Sequence, residues 1–309
     1  MMPSIQSLLI EKMIKLSVKR MAKKGIRKTE MEETRQRFNE FGAKLGQLPK
    51  GCVRESCKIG GLYSEWLSFT DTKEKKVILY LHGGAYEYGS ADTHRVLAAR
   101  IGKASGAKVL LPEYRLAPEH PFPAAIEDAV LVYHWLLDRG YESSNIIFAG
   151  DSAGAGLSIA AALTLREQND PLPAAVICLS PWADLTSSGE SYEKNRKLDP
   201  YLNPEAVRKA AAMYAGAKPL NHPMISPVFA DLTDLPPLFI QAGSHEILQS
   251  DAEMLAAKAR LAGVDVTLKI WEGMWHVWQI FGGVLPEARK AIREIGHFAK
   301  RSFKNSTIK

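Results

Sequence analysis

Two periods alternate along this chain. Short, predominantly apolar runs stand at 77–81, 109–111, 146–149, 175–179, 238–241 and 266–271. Runs of this length with apolar residues at successive positions predict strands buried on both faces. Between them, apolar residues recur at helical spacing over 94–103, 124–138, 153–166, 204–214 and 250–261, and a last helix covers 286–303. Strands that alternate with helices predict a parallel sheet covered on both sides. Ahead of them, 53–59 and 64–69 alternate β-branched or aromatic residues with polar ones, which adds two antiparallel leading strands. The expectation is an α/β protein with an eight-stranded, mostly parallel sheet flanked by helices.

Two further helices open the chain, over 5–24 and 30–45, punctuated by Gly25 and by Pro49-Lys50-Gly51. Charge changes the picture here. Residues 1–30 hold Lys12, Lys15, Lys19, Arg20, Lys23, Lys24, Arg27 and Lys28 against Glu11 and Glu30, which accounts for the whole formal net charge of +6. Ile5, Leu8, Leu9, Met13 and Leu16 recur at helical spacing, so the first helix is basic and amphipathic. Its apolar stripe either packs on the body of the protein, the preferred reading, or makes a weak contact with an anionic membrane surface. No other basic groove or stacking aromatics accompany it, so a nucleic-acid partner is not expected.

The 309 residues suffice for one large α/β domain or two small ones, and 46% hydrophobic content allows a sizeable core. No apolar stretch approaches the roughly 18 residues that span a bilayer. Leu8-Leu9-Ile10 is broken at once by Glu11 and Lys12, unlike a secretory signal. Three cysteines cannot all pair: Cys178 lies in an apolar run, and Cys52 and Cys57 lack redox or zinc spacing. A reduced, cytoplasmic setting is expected.

The chemistry centres on Gly150-Asp151-Ser152-Ala153-Gly154, between a predicted strand and a predicted helix. Gly-x-Ser-x-Gly in that context is the nucleophile elbow of the α/β-hydrolase fold, which exposes Ser152 above the sheet. In that fold the acid and then the base follow the nucleophile in chain order. His82, His94, His120 and His134 precede Ser152, and His222, His245 and His297 fall in unsuitable places. His276, in the loop after the last strand, remains as the base. The loop after the penultimate strand offers Glu246 and Asp251, with Glu246 preferred and Asp251 the alternative. A Gly-rich loop, His82-Gly83-Gly84-Ala85-Tyr86, follows the 77–81 strand, so Gly83, Gly84 and Ala153 are the candidate oxyanion donors. His82 is read as a brace for that loop.

Four motifs in order carry a resemblance over residues 75–300. They are His82-Gly83-Gly84-Ala85-Tyr86, the segment from Tyr114 to Ala125 (Tyr-Arg-Leu-Ala-Pro-Glu-His-Pro-Phe-Pro-Ala-Ala), Gly150-Asp151-Ser152-Ala153-Gly154, and Ser180-Pro181-Trp182-Ala183-Asp184-Leu185. Together they resemble the bacterial hormone-sensitive-lipase-like (family IV) esterases of the α/β-hydrolase superfamily. The resemblance implies Ser152 as nucleophile, Glu246 as acid, His276 as base, and Gly83, Gly84 and Ala153 as oxyanion donors. It also implies a helical cap over residues 1–50, to which 185–222 adds, on a catalytic domain of 51–309, and a homodimer joined through the last strand. Two positions depart from the family: Ala85 replaces a third glycine, and a glutamate replaces the usual aspartate.

The expected activity is hydrolysis of small-molecule carboxylic esters with short to medium acyl chains, through an acyl-enzyme and without cofactor or metal. Tyr86, Trp182, Met213, Tyr214 and Trp275 are candidates for an apolar substrate pocket, each of which also fits a core position. The alternatives are amide or peptide hydrolysis by the same residues, or a non-catalytic small-molecule receptor, against which the intact His276 argues.

Overall fold

The computed structural model describes residues 3–23, 31–43 and 46–305. Gly25, Glu30, Lys44 and Leu45, which the sequence places at the ends of the first two helices, lie outside them, as does Lys24. In chain order the elements are α1 (Ile5–Lys23), α2 (Met31–Ala43), β1 (Val53–Ile59), β2 (Leu62–Ser68), β3 (Lys73–Leu81), α3 (Ala91–Ser105), β4 (Ala107–Pro112) and α4 (Ala124–Asp138). Then follow β5 (Ile146–Asp151), α5 (Ala153–Glu167), β6 (Ala175–Leu179), α6 (Ser191–Lys194), α7 (Pro204–Ala215), β7 (Leu238–Gly243), α8 (Gln249–Leu261), β8 (Val266–Trp271) and α9 (Pro286–Asn305).

The eight strands form one sheet in the order β1-β2-β4-β3-β5-β6-β7-β8. β2 runs antiparallel to both β1 and β4, and every pairing from β4 to β8 is parallel. The central strands are buried on both faces because alternate residues enter different cores. Val77, Leu79, Leu81, Ile146 and Phe148 pack with α4 and α5, whereas Ile78, Tyr80, Ile147 and Ala149 pack with α3 and α9. Truncating one of them, such as Leu79→Ala, costs about 2–5 kcal/mol in a site of this kind. The expectation of a doubly buried strand fails at β8. It is the sheet edge, and Lys269 and Ile270 are exposed.

Local chemistry sets the helix ends. Gly106 takes φ 63° to close α3, and the Asn203 side chain accepts the Ala206 N–H at 2.8 Å ahead of Pro204 at the start of α7. In α5, small residues let the helix approach the sheet closely. A Cβ on Gly154 would overlap the carbonyl oxygen of Leu81.

Helix α1 is rotated away from its expected phase. The Ser4 amide and hydroxyl donate to Glu287 at 2.6 and 2.9 Å, and Pro3 packs on Gly273. These anchors turn Ile10 and Ile14 toward Met274, Trp275 and Trp278, with Ser7 and Glu11 buried alongside. Ile5, Leu8, Leu9, Met13 and Leu16, the stripe expected to pack, are exposed instead. Helix α2 is held by Arg35. Its guanidinium donates to the Glu87 and Ala117 carbonyls at 2.7 and 2.8 Å and pairs with Glu119 at 2.7 Å.

Candidate active site

Ser152 sits between β5 and α5 with φ 53° and ψ −122°. A left-handed φ on a residue with a side chain stores about 1–3 kcal/mol of strain, so the surroundings must hold it. The Ser152 amide donates to Leu179 O at 2.8 Å, and the Trp182 amide donates to Ser152 O at 3.0 Å. Gly150 and Gly154 face each other so closely that a Cβ on Gly150 would overlap the Gly154 backbone. The two glycines are therefore steric requirements of the turn.

Glu246 and His276 come from adjacent strand ends. The loops after β7 and β8 are stitched by Ser244 N–H to Trp271 O (3.0 Å), His245 N–H to Met274 O (2.9 Å) and Gly273 N–H to Ser244 Oγ (2.8 Å). Glu246 Oε2 lies 2.7 Å from His276 Nδ1, while Oε1 accepts the Gly243 N–H. Both carboxylate oxygens are thus fixed in a fully buried side chain. Val277, at φ 50°, donates its N–H to Ser180 Oγ at 3.1 Å. This ties the His276 loop to the end of β6, beside the strand that carries Ser152. Ser152 Oγ forms no hydrogen bond among the described residues, so the structure joins Glu246 to His276 and records no hydrogen bond between His276 and Ser152.

Burial works against the His276 imidazolium. The Glu246 hydrogen bond and charge, with Asp199 and Asp151 farther out, outweigh it and raise the pKa above the usual histidine value. Asp199 is a residue the sequence reading missed. It is buried in the loop between α6 and α7, and it accepts the N–H groups of Tyr201 and Leu202 (2.9 Å each) and Ile247 (3.0 Å). Asp-Pro at 199–200 marks a turn, but nothing in the local pattern directs it to a loop 48 residues away.

Asp251, the alternative acid, forms no hydrogen bond or ion pair with His276 among the described residues. Its Oδ2 accepts the N–H groups of Ala183 and Asp184 at 2.9 and 2.8 Å and so shapes the loop after β6.

The Gly-rich loop turns through three successive left-handed residues, Gly84 (φ 122°), Ala85 (φ 57°) and Tyr86 (φ 61°). The amides of Gly84 and Ala153 carry no intramolecular bond among the described residues. Gly83 departs from expectation: its N–H donates to Asp151 Oδ1 at 3.2 Å. Asp151 also accepts the Tyr80 hydroxyl at 2.7 Å and faces His94 Nε2 at 3.2 Å, so a buried ion-pair network anchors the loop from below. His82 donates from Nδ1 to Gly83 O at 2.8 Å, and burial and the His94 charge push its pKa down to about 3. It is a neutral brace.

Tyr86 and Tyr214 stack with centroids 3.6 Å apart, and Trp182 lies 6.1 Å from Tyr86. All three are buried, so a compact aromatic wall stands beside the Gly-rich loop, whereas Met213 is half-buried on α7 and is not among the side chains packed on that cluster. Trp275 belongs elsewhere. It packs with Met274 and Trp278 beneath α1, and stacks edge-on with Phe281, because its neighbour His276 takes the inward direction.

The chain is similar to known proteins over most of its length. A family model described as the alpha/beta hydrolase fold matches residues 78–280. An acetyl-hydrolase of Streptomyces hygroscopicus is 42% identical over 276 residues, spanning 89% of this chain and 91% of that protein. The crystal structure of an esterase from the bacterial hormone-sensitive lipase family superposes with a TM-score of 0.91 at 41% identity, covering 98% of this chain and 100% of that one. The structure of EstE5 soaked with p-nitrophenyl butyrate superposes with a TM-score of 0.90 at 38% identity, covering 97% and 99%.

Proposed function

Because this chain belongs to the α/β hydrolases, and among them to the hormone-sensitive-lipase-like esterases, we propose that it cleaves short- to medium-chain acyl esters with a Ser152-His276-Glu246 triad. The observation that carries this reading is the 2.7 Å contact between Glu246 Oε2 and His276 Nδ1. It leaves Nε2 as the basic nitrogen and stabilises the imidazolium that forms when a proton arrives.

His276 Nε2 removes the Ser152 hydroxyl proton as Oγ attacks the ester carbonyl carbon. The carbonyl oxygen gains the negative charge and is received by the N–H groups of Gly84 and Ala153, at the N-terminus of α5. Gly83 keeps the loop in place through Asp151 and contributes a third donor only by sharing its N–H. Collapse of the intermediate expels the alcohol, protonated by His276, and leaves an acyl-Ser152. Water deprotonated by the same imidazole then releases the acid and restores the serine.

The substrate preference rests on the wall formed by Tyr86, Trp182 and Tyr214, which bounds the acyl group, with Met213 next to Tyr214 on α7 as a further candidate. Helices α1 and α2 and the segment 185–222 form the cap in this reading. Support comes from α1 against the His276 loop, Arg35 on the Gly-rich loop, and the Phe122 N–H bonded to Tyr214 O at 2.8 Å. Among the described residues the outer edge of β8 pairs with no strand, and it suits a homodimer. The unpaired state of Cys52, Cys57 and Cys178 supports a cytoplasmic location.

The test is hydrolysis of p-nitrophenyl esters of graded chain length by wild type and Ser152→Ala. Turnover should be fastest for acetate to hexanoate and fall on the order of 10³-fold or more in the variant. Equal rates for the two proteins would remove the assignment.

A further inference from the structure

Helix α1 has two apolar lines, and the body of the protein uses one. Ile10 and Ile14 are packed beside the His276 loop. On the other side Ile5, Leu8, Leu9, Met13 and Leu16 are between 49 and 75% exposed. At 100° per residue they centre about 180° from the buried line of Ser7, Glu11 and Ile14. Single exposed aliphatics are ordinary on a protein surface, whereas a contiguous row marks a contact site.

The charge beside this row selects the occupant. Lys12 is exposed within it. The one acid among residues 5–16, Glu11, is turned inward and held by Lys15 at 2.6 Å. The sequence continues with Lys19, Arg20, Lys23, Lys24, Arg27 and Lys28 before the next acid, Glu30. A second copy facing this row would oppose lysine to lysine. An anionic lipid surface supplies both complements, acyl chains for the aliphatic side chains and phosphate headgroups for the cations.

We propose that the outer face of α1 docks this protein, helix in plane, on an anionic lipid surface. Ile10 and Ile14 on the inner face of the same helix, with Pro3 just ahead of it, hold residues 273–278. Docking therefore sets the His276 loop about one helix diameter, about 10–12 Å, from the lipid. The inference stands on exposure and charge and does not depend on the esterase reading.

Co-sedimentation of the full chain with vesicles tests it, using phosphatidylcholine alone and phosphatidylcholine mixed with phosphatidylglycerol. The protein should pellet with the mixed vesicles and remain in solution with the neutral ones. Rising salt should release it as the screening length shrinks. Leu8→Asp/Leu9→Asp and, separately, Lys12→Glu should each weaken partition about tenfold. Both variants replace exposed residues, so each should match wild type on a water-soluble p-nitrophenyl ester, and circular dichroism checks their fold. The proposal is overturned if the wild type ignores mixed vesicles, binds neutral ones equally well, or is unaffected by both variants. It is also overturned if sedimentation velocity shows self-association that the double variant abolishes, which would give the face to a second copy.

Discussion

Asp199 Oδ2 accepts the backbone N–H of Ile247 at 3.0 Å, one residue beyond the carboxylate that holds His276. A second buried carboxylate thus sits behind the Glu246–His276 pair. Burial pushes its carboxyl pKa up to about 6, against the His276 charge and the three backbone donors that pull it down. The coupling acts both ways, since the Asp199 charge helps to raise the His276 pKa. Asp199→Asn removes that charge and should lower the pKa of His276. A base works only when neutral, so the acid limb of the kcat/KM profile should move to lower pH. The lost acceptor should also cost about 1–3 kcal/mol of stability. A pH profile on p-nitrophenyl acetate checks the first point and thermal unfolding the second; an unmoved limb would leave Asp199 only a structural role.

Glu246→Gln preserves volume while removing the charge that fixes the His276 tautomer. The amide can present its NH2 to Nδ1 and leave the proton on Nε2, where it blocks proton abstraction. The expected loss in kcat is on the order of 10⁴, with little change in KM. Glu246→Asp keeps the charge but shortens the reach, and should recover part of that loss. Steady-state kinetics on the two variants, with native circular dichroism, separates orientation from folding. Equal activity of Glu246→Gln and wild type would point away from Glu246 as the acid.

The central sheet was legible because the alternation of buried runs and amphipathic segments is a local signal. β1, β6, β8 and α4 fall at the expected residues. Ser152, Glu246 and His276 could be chosen because each follows a strand whose position is readable. What escaped depends on rotation or on long-range contact. The phase of α1 is set by Ser4 on Glu287, 283 residues away, so its period gave a stripe without saying which side was inward. Trp275 and His276 are neighbours that point in different directions, a choice made by Val277 and Ser180. Asp199, Arg35 and His94 lie far from their partners in sequence and carry no motif of their own, and Asp151, though inside the elbow motif, gives no sign there that it faces His94.

The elbow glycines should tolerate no side chain. In Gly154→Ala the new methyl would meet the carbonyl oxygens of Leu81 and His82, which belong to the backbone and cannot rotate away. Overpacking of this kind costs about 1–3 kcal/mol or more, and moving Leu81 also displaces the Gly-rich loop. The variant should show a lowered midpoint in urea together with a fall in kcat larger than its fall in substrate affinity. Wild-type stability and rate would mean that the turn is looser than its contacts imply.

Arg35 gives a test of the proposed cap that leaves the reacting atoms alone. Its Nε and Nη2 donate to the carbonyls of Glu87 and Ala117, so α2 is pinned to the Gly-rich loop and to the segment after Tyr114. The pairing with Glu119 is half-exposed and adds about 0–1 kcal/mol; the two carbonyl bonds are the larger contribution. Arg35→Met keeps the aliphatic stem and deletes the fork. Amide hydrogen exchange should then rise across α2 while β5 and α5 keep their protection. If α2 bounds the acyl site, KM for the longer esters should increase several-fold with kcat on acetate nearly unchanged. Uniform losses across all chain lengths would instead place the effect of Arg35 on the Gly-rich loop itself, through Glu87.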